Sequence, residues 1–179
     1  EWDRTQAEIM RAIQATEGDD RHAFSVFKVS GLASTALLEK IGLRLKPLEN
    51  LESVGLTLNH DEQSAWERVQ ERFYSLCAKS AAIGKPVFID AEESWIQPTI
   101  DALAESAMRK WNVEEAIVYN TVQLYRTDRL GYLKSLTKSA GEKGFKIGVK
   151  LVRGAYMEKE RERAITHGYT SPIQPNKTA

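Results

Sequence analysis

The sequence predicts an α/β fold: a partial (β/α)8, TIM-like barrel of about four βα units, preceded by N-terminal helices. Three observations carry this expectation. Four short apolar runs alternate with helix-period segments long enough to cross over a sheet, which favours parallel pairing over hairpins. Each run has polar or ionisable residues at or near its carboxyl end: Lys28, Asp90 with Glu92, Asn120 with Gln123, and Lys150 with Arg153. A complete barrel needs about 250 residues, so these 179 hold roughly half of one. A doubly wound open sheet would also fit the length, but no GxGxxG follows any of the four strands and no GxxxxGK[ST] occurs.

The elements are justified in order. Trp2, Ile9, Met10 and Ile13 approximate a helical stripe that Gly18, Asp19 and Asp20 bring to a stop, giving an N-terminal helical segment over 1–23. The first half of the barrel then runs over 24–179. FSVFKVSG at 24–31 reads as a short buried strand with Lys28 as its anomaly, and STALLEKIGL as a helix. LKPLENLESVGLTLNH is mixed and reads as loop with short helical turns. Asn59 and Glu62 resemble a capping box opening a helix on which Trp66, Val69, Phe73 and Leu76 recur at helical spacing, with Gly84 at its end. KPVFIDAE is the second strand, and Pro98 opens a helix carrying Ile100, Leu103, Ala104 and Ala107. EEAIVYNT is the third strand, followed by a helix around Leu130, Leu133 and Leu136. KIGVKLVRG is the fourth strand, and YMEKERERAITH the helix after it, its charges reading as a solvated face.

Composition narrows the function. With 25 basic and 25 acidic residues the formal charge is zero, which removes the broad electrostatic case for nucleic acid. His22, His60 and His167 lack zinc-type spacing, so no metal site is expected. Cys77 lies among helix formers and is the single cysteine, so it forms no internal disulfide. No apolar run approaches the roughly 20 residues of a membrane span. The chain opens without Met and closes on SPIQPNKTA, from which a piece of a longer protein is expected.

At the strand ends, two readings stand for each group. Lys28 and Asp90 form either a purely structural buried ion pair or a positioning pair for a substrate, and both readings require them to meet, since either charge desolvated alone is costly. Asn120 and Gln123 are either loop-capping amides or partners of a heterocyclic cofactor edge. In LVRGAYM, Gly154 and Tyr156 make a tight turn and fill space. Alternatively, Gly154 and Ala155 admit a ligand close to the backbone, Lys150 and Arg153 offer cationic donors, and Tyr156 is an aromatic wall.

FKVSG, FIDAEESWIQP, IVYNTVQLYRTDRL, KLVRGAYMEKERERA and GYTSPIQP, in this order across most of residues 24 to 175, resemble the proline dehydrogenase (proline oxidase) family, the monofunctional type more than the bifunctional one. The resemblance implies a distorted barrel with non-covalent FAD, L-proline against the flavin at the strand carboxyl ends, hydride transfer from proline C5 to flavin N5, and electrons passed to a membrane quinone. It implies Lys28 and Asp90 as an active-site pair beneath the substrate, acting by position. Asn120 matches a flavin-contacting amide with Gln123 close by, and Lys150 the basic position reaching toward N5, where some relatives carry arginine. Val152, Arg153, Gly154 and Ala155 match the segment holding the flavin and its phosphates, Tyr156 the proline-pocket wall, and Met157 a bulky residue near the cofactor.

The family's Tyr-x-x-Arg-Arg helix, whose arginines suit a substrate carboxylate, has no counterpart in this sequence. The chain alone is therefore expected to be inactive, and the parent protein to be a proline dehydrogenase of proline catabolism. The expected place is the bacterial cytoplasm, peripheral to the inner membrane, with the mitochondrial matrix as alternative. The rival expectations are a non-catalytic half-barrel interaction module, and another β/α-barrel enzyme acting on a small carboxylate.

Overall fold

Hydrophobic periodicity and local caps explain most of the elements in the computed structural model, which describes residues 1–45 and 58–176. Most of the segment read as loop with short helical turns lies outside the described residues. Helix α1 spans Trp2–Gln14. Strand β1 is Ser25–Phe27, a 3-10 turn covers Val29–Gly31, and α2 is Thr35–Gly42, capped by the Ser34 side chain. Helix α3 spans His60–Ala82 behind a true capping box: Asn59 Oδ1 accepts from the Glu62 N–H at 2.9 Å, and the Glu62 carboxylate from the Asn59 N–H at 3.0 Å. Then follow β2 Val87–Ile89, α4 Gln97–Trp111, β3 Val118–Gln123, α5 Arg129–Lys143, β4 Val149–Val152 and α6 Met157–His167.

The four strands form one parallel sheet in the order β1-β2-β3-β4, each joined to the next through helix, as the strand–helix alternation predicts. Consecutive order in a parallel sheet is the arrangement of successive βα units in a barrel wall.

Because strand side chains alternate, the sheet has two faces. Phe27, Ile89, Val118 and Val122 are buried on the helix side, where Ile13, Leu38, Phe73, Ile100 and Met108 complete a continuous core. The opposite, inward face carries Val26, Phe88 and Tyr119 in register. The sequence reading of 24–31 as a uniformly buried strand is corrected here. Phe24 and Val26 are each 48% exposed, since they face inward while Phe27 faces the core. Phe24 instead stacks on Phe88 (centroids 4.4 Å apart, 11° between planes), and Phe88 contacts Tyr119 at 4.8 Å.

Two features lock the amino-terminal side of the sheet. Asn112 is fully buried, its amide donating to the Val118 and Lys146 carbonyls and its oxygen accepting from the Ile117 and Val118 N–H groups, so one side chain replaces four backbone partners. Gly148 makes the β3–β4 approach possible, because a Cβ there would lie 2.6 Å from the Val118 carbonyl oxygen and 2.8 Å from the Tyr119 ring.

Candidate active site

Strand register brings four residues to one level at the carboxyl ends. Phe27 pairs with Ile89 and Ile89 with Asn120, so the next residues, Lys28, Asp90 and Thr121, follow side by side, and Thr121 pairs with Lys150. The Lys150 ammonium forms an ion pair with Asp90, reaching past the small Thr121 side chain. The two side chains are 30% and 29% exposed, so water still reaches the pair. Lys150 Nζ also sits 5.8 Å from the Phe88 ring centroid.

Lys28 makes a different contact from the one expected. Its Nζ donates to Tyr156 Oη at 3.3 Å and lies 5.9 Å from the Tyr156 ring centroid. The hydrogen bond to Tyr156 raises the Lys28 pKa above its ordinary value, with Glu92 and Asp90 adding more distant attraction. Asp90 is thus the partner of Lys150, and Lys28 the partner of Tyr156. The reason is that β1 ends at Phe27, which leaves Lys28 on an exposed turn where its long side chain swings to α6, whereas Lys150 lies within β4 and is held over the sheet.

Asn120 does not reach the mouth. It follows Tyr119, which faces inward, so it faces the helices, where it is fully buried and donates to Asp101 Oδ1 at 2.8 Å and Tyr132 Oη at 3.0 Å. Both amide hydrogens are thus taken and the oxygen accepts from the Thr121 N–H at 3.0 Å, so the group expected to contact the flavin stands on the helix side of the sheet. Gln123 is also committed: Nε2 donates to the Glu92 carbonyl at 2.6 Å and Oε1 accepts from Arg126 at 3.1 Å, which reproduces the loop-capping alternative.

Around Asn120 stands a buried polar network that the sequence reading missed. Arg129 Nη1 binds Asp101 Oδ2 at 2.6 Å and its other nitrogen binds Asp128, while Arg126 Nη2 lies 2.8 Å from Asp128 Oδ2. Burial alone would lower the Arg129 pKa, but Asp101 and Asp128 raise it above the ordinary value. Burial also pushes the Tyr132 hydroxyl well up. A signal was available: Gln97, Asp101 and Glu105 recur every fourth residue on α4, a polar stripe that is wholly buried.

The EKERER run also departs from a solvated face. Glu160 is fully buried, and its carboxylate accepts from the Ser94 N–H and Oγ, both at 2.6 Å. Arg163 lies 4.2 Å from the Trp95 ring centroid and pairs with Glu39 at 2.5 Å.

The remaining expected cofactor residues lie along one stretch after Lys150. Val152 and Met157 are half-buried, and Arg153, Gly154 and Ala155 are exposed. Arg153 makes no ion pair among the described residues. An unpaired guanidinium beside open glycine-containing backbone fits a phosphate-bearing group such as FAD. The described residues contain no group of three or more His, Cys, Asp or Glu able to hold a metal ion. They also contain no helix long and apolar enough to cross a membrane.

The proline dehydrogenase family model matches residues 1–179. The chain belongs to the proline dehydrogenase family. It is 33% identical over 161 residues to the carbapenem antibiotics biosynthesis protein CarD of Pectobacterium carotovorum subsp. carotovorum, covering 90% of this chain and 40% of that protein. It is 35% identical over 125 residues to mitochondrial proline dehydrogenase 1 of Homo sapiens, covering 70% of this chain and 21% of the human protein. Against proline utilization A from Corynebacterium freiburgense the fold superposes with a TM-score of 0.73 at 18% identity, over 99% of this chain and 16% of that one. The chain thus spans 40% or less of the length of these relatives, and the likeness to the solved structure establishes the shared fold.

Proposed function

We propose that this chain supplies the lysine, aspartate and tyrosine wall of an enzyme that oxidises L-proline to 1-pyrroline-5-carboxylate. The carrying observation is the convergence of Asp90–Lys150 and Lys28–Tyr156 on the inward face at the strand carboxyl ends, in a member of the proline dehydrogenase family. Bound FAD would supply a two-electron acceptor for the hydride from proline C5, with the amine proton released to solvent and the electrons handed on to a quinone.

The chain's own residues orient and enclose. The Lys28 and Lys150 ammoniums, balanced by Glu92 and Asp90, offer cationic donors at the mouth to the carboxylate of an amino acid. Asp90 holds Lys150 by position and moves no proton in this reading. The Tyr156 ring, tethered through its hydroxyl to Lys28, gives the pyrrolidine ring an apolar wall. Arg153 and the Gly154–Ala155 backbone would hold the cofactor's phosphates. We assign the reaction to the complete eight-stranded barrel and expect these four units alone to be inactive, because they enclose only one side of such a site. We place the protein in the bacterial cytoplasm, peripheral to the inner membrane where a quinone is within reach, with the mitochondrial matrix as the alternative that the mitochondrial name of the human relative favours.

The test is an anaerobic visible spectrum of the full-length polypeptide incubated with FAD, before and after L-proline, with hydroxyproline in parallel. Retained flavin absorbance that bleaches with L-proline is the expected result. Flavin that is retained yet bleaches with hydroxyproline alone would move the substrate. Absence of flavin, with concentration-dependent self-association, would favour an interaction module.

A further inference from the structure

The candidate site is built from two arms that the chain brings together from 66 residues apart, and one buried carboxylate joins them. The first arm is the loop after β2, beginning at Asp90 and running through Ser94 into α4. The second is the turn after β4, which passes Tyr156 and enters α6. Glu160 lies one helical turn beyond Tyr156, and its own N–H donates to the Tyr156 carbonyl at 2.9 Å. Its carboxylate, fully buried, accepts both the N–H and the Oγ–H of Ser94 at 2.6 Å. Glu160 therefore grips the Tyr156 arm through its backbone and the Asp90 arm through its side chain.

Burial of a lone carboxylate is strongly unfavourable unless short, charge-assisted bonds replace its water. A helix whose apolar face could have been completed by leucine or methionine carries instead an acid with two fixed donors. Packing alone does not call for this chemistry, whereas fixing a distance and an angle does, because a fork of two bonds to one serine defines both. The flanking contacts run the same way: Lys159 pairs with Glu93, and Arg163 stacks on Trp95. The device also recurs. Glu92, itself buried, accepts from the Ser30 N–H at 2.9 Å and from the Ser30 hydroxyl, and Ser30 stands two residues after Lys28. The turn after Lys28 is thus tied to the Asp90 loop by Glu92, and the Asp90 loop to the Tyr156 turn by Glu160.

We propose that Glu160 is a positioning residue, which through Ser94 sets the Tyr156–Lys28 contact at its distance from the Asp90–Lys150 pair. The proposal rests on the reading that Tyr156 walls the substrate. Since Tyr156 contributes binding in both ground and transition states, its displacement changes KM more than kcat.

The test uses Glu160→Gln and, as a milder change that keeps the backbone donor, Ser94→Ala, both in the full-length enzyme. Each is expected to raise KM for L-proline about tenfold while kcat stays near its original value. Tyr156→Phe added to Glu160→Gln should bring no further loss, because the two act in series. A lower melting temperature with unchanged KM in both variants, or losses that multiply with Tyr156→Phe, would overturn the proposal. A second readout is independent of activity: 3-fluorotyrosine at position 156 should give a fluorine resonance that shifts in Glu160→Gln. An unmoved resonance overturns the clasp even if proline is oxidised. A moved one upholds it even if the wild-type protein leaves proline untouched, in which case only the substrate assignment falls.

Discussion

Asn120 Nδ2 and Asp101 Oδ1 meet at 2.8 Å on the helix side of the sheet, and this single contact removes Asn120 from the mouth of the site. The same amide also donates to Tyr132, and Arg129 closes the other side of Asp101. Replacing Asn120 by Ala leaves Asp101 Oδ1 with Gln97 Nε2 as its remaining donor and removes the amide donor of the Tyr132 hydroxyl, so stability should fall by about 1–3 kcal/mol. Flavin affinity of the full-length protein should stay unchanged. Urea unfolding and flavin titration check the two halves, and a selective loss of flavin would return Asn120 to the cofactor.

The pairing of Asp90 with Lys150 makes a claim about coupling. In a double-mutant cycle of Asp90→Ala with Lys150→Met, the effects on stability should be non-additive, but by no more than about 1 kcal/mol, since both side chains are nearly a third exposed and solvent screens them. Asp90→Ala with Lys28→Met should be close to additive. Both Asp90 and Lys150 variants should slow proline oxidation by the complete enzyme. Coupling that is larger for Lys28 than for Lys150 would reverse the assignment.

Asp128 gives a pH dependence with a definite sign. Burial opposes its ionisation, but hydrogen bonds and charge from Arg129 and Arg126 outweigh burial and hold the carboxyl below its ordinary value of 3.8. A depressed folded-state pKa contributes stability above the unfolded value and loses it as pH falls through the folded one. The stability gap between wild type and Asp128→Asn should therefore be full at about pH 6 and shrink as pH drops below about 4. Denaturant melts at the two ends of that window measure it, and a gap that widens with acid would contradict the network.

Gly148 should not tolerate even alanine. A Cβ 2.6 Å from the Val118 carbonyl oxygen and 2.8 Å from the Tyr119 ring must push β3 and β4 apart. Overpacking of this kind typically lowers stability by about 1–3 kcal/mol. Gly141, on α5, has nothing within 4 Å of a Cβ and serves as control, since Ala there should stabilise or be neutral. Equal behaviour of the two variants in thermal melts would argue against the close approach.

Cys77 is buried, and burial pushes its thiol well up from its ordinary value. It should resist a thiol reagent in the native protein and react once denaturant is added. Fast native labelling would require an opening of α3.

What the sequence determined by itself is local. Element order, the Asn59–Glu62 capping box, the Pro98 helix start and polar residues at strand ends depend on neighbours within a few positions, and each is present in the structure. The motif blocks were likewise enough to place the chain in its family. Tertiary structure decided the rest because it turned on phase and reach. One residue of strand phase sends Asn120 to the helices while Thr121 stays beside Lys150. Two lysines of the same charge compete for Asp90, and only the end of β1 at Phe27 and the run of β4 through Lys150 settle which one reaches it. The EKERER run reads as solvent-facing by composition, yet Glu160 is buried because a serine 66 residues earlier supplies two donors that no local pattern reveals. Charge pairing and burial depend on distances that the chain acquires only when the sheet is assembled.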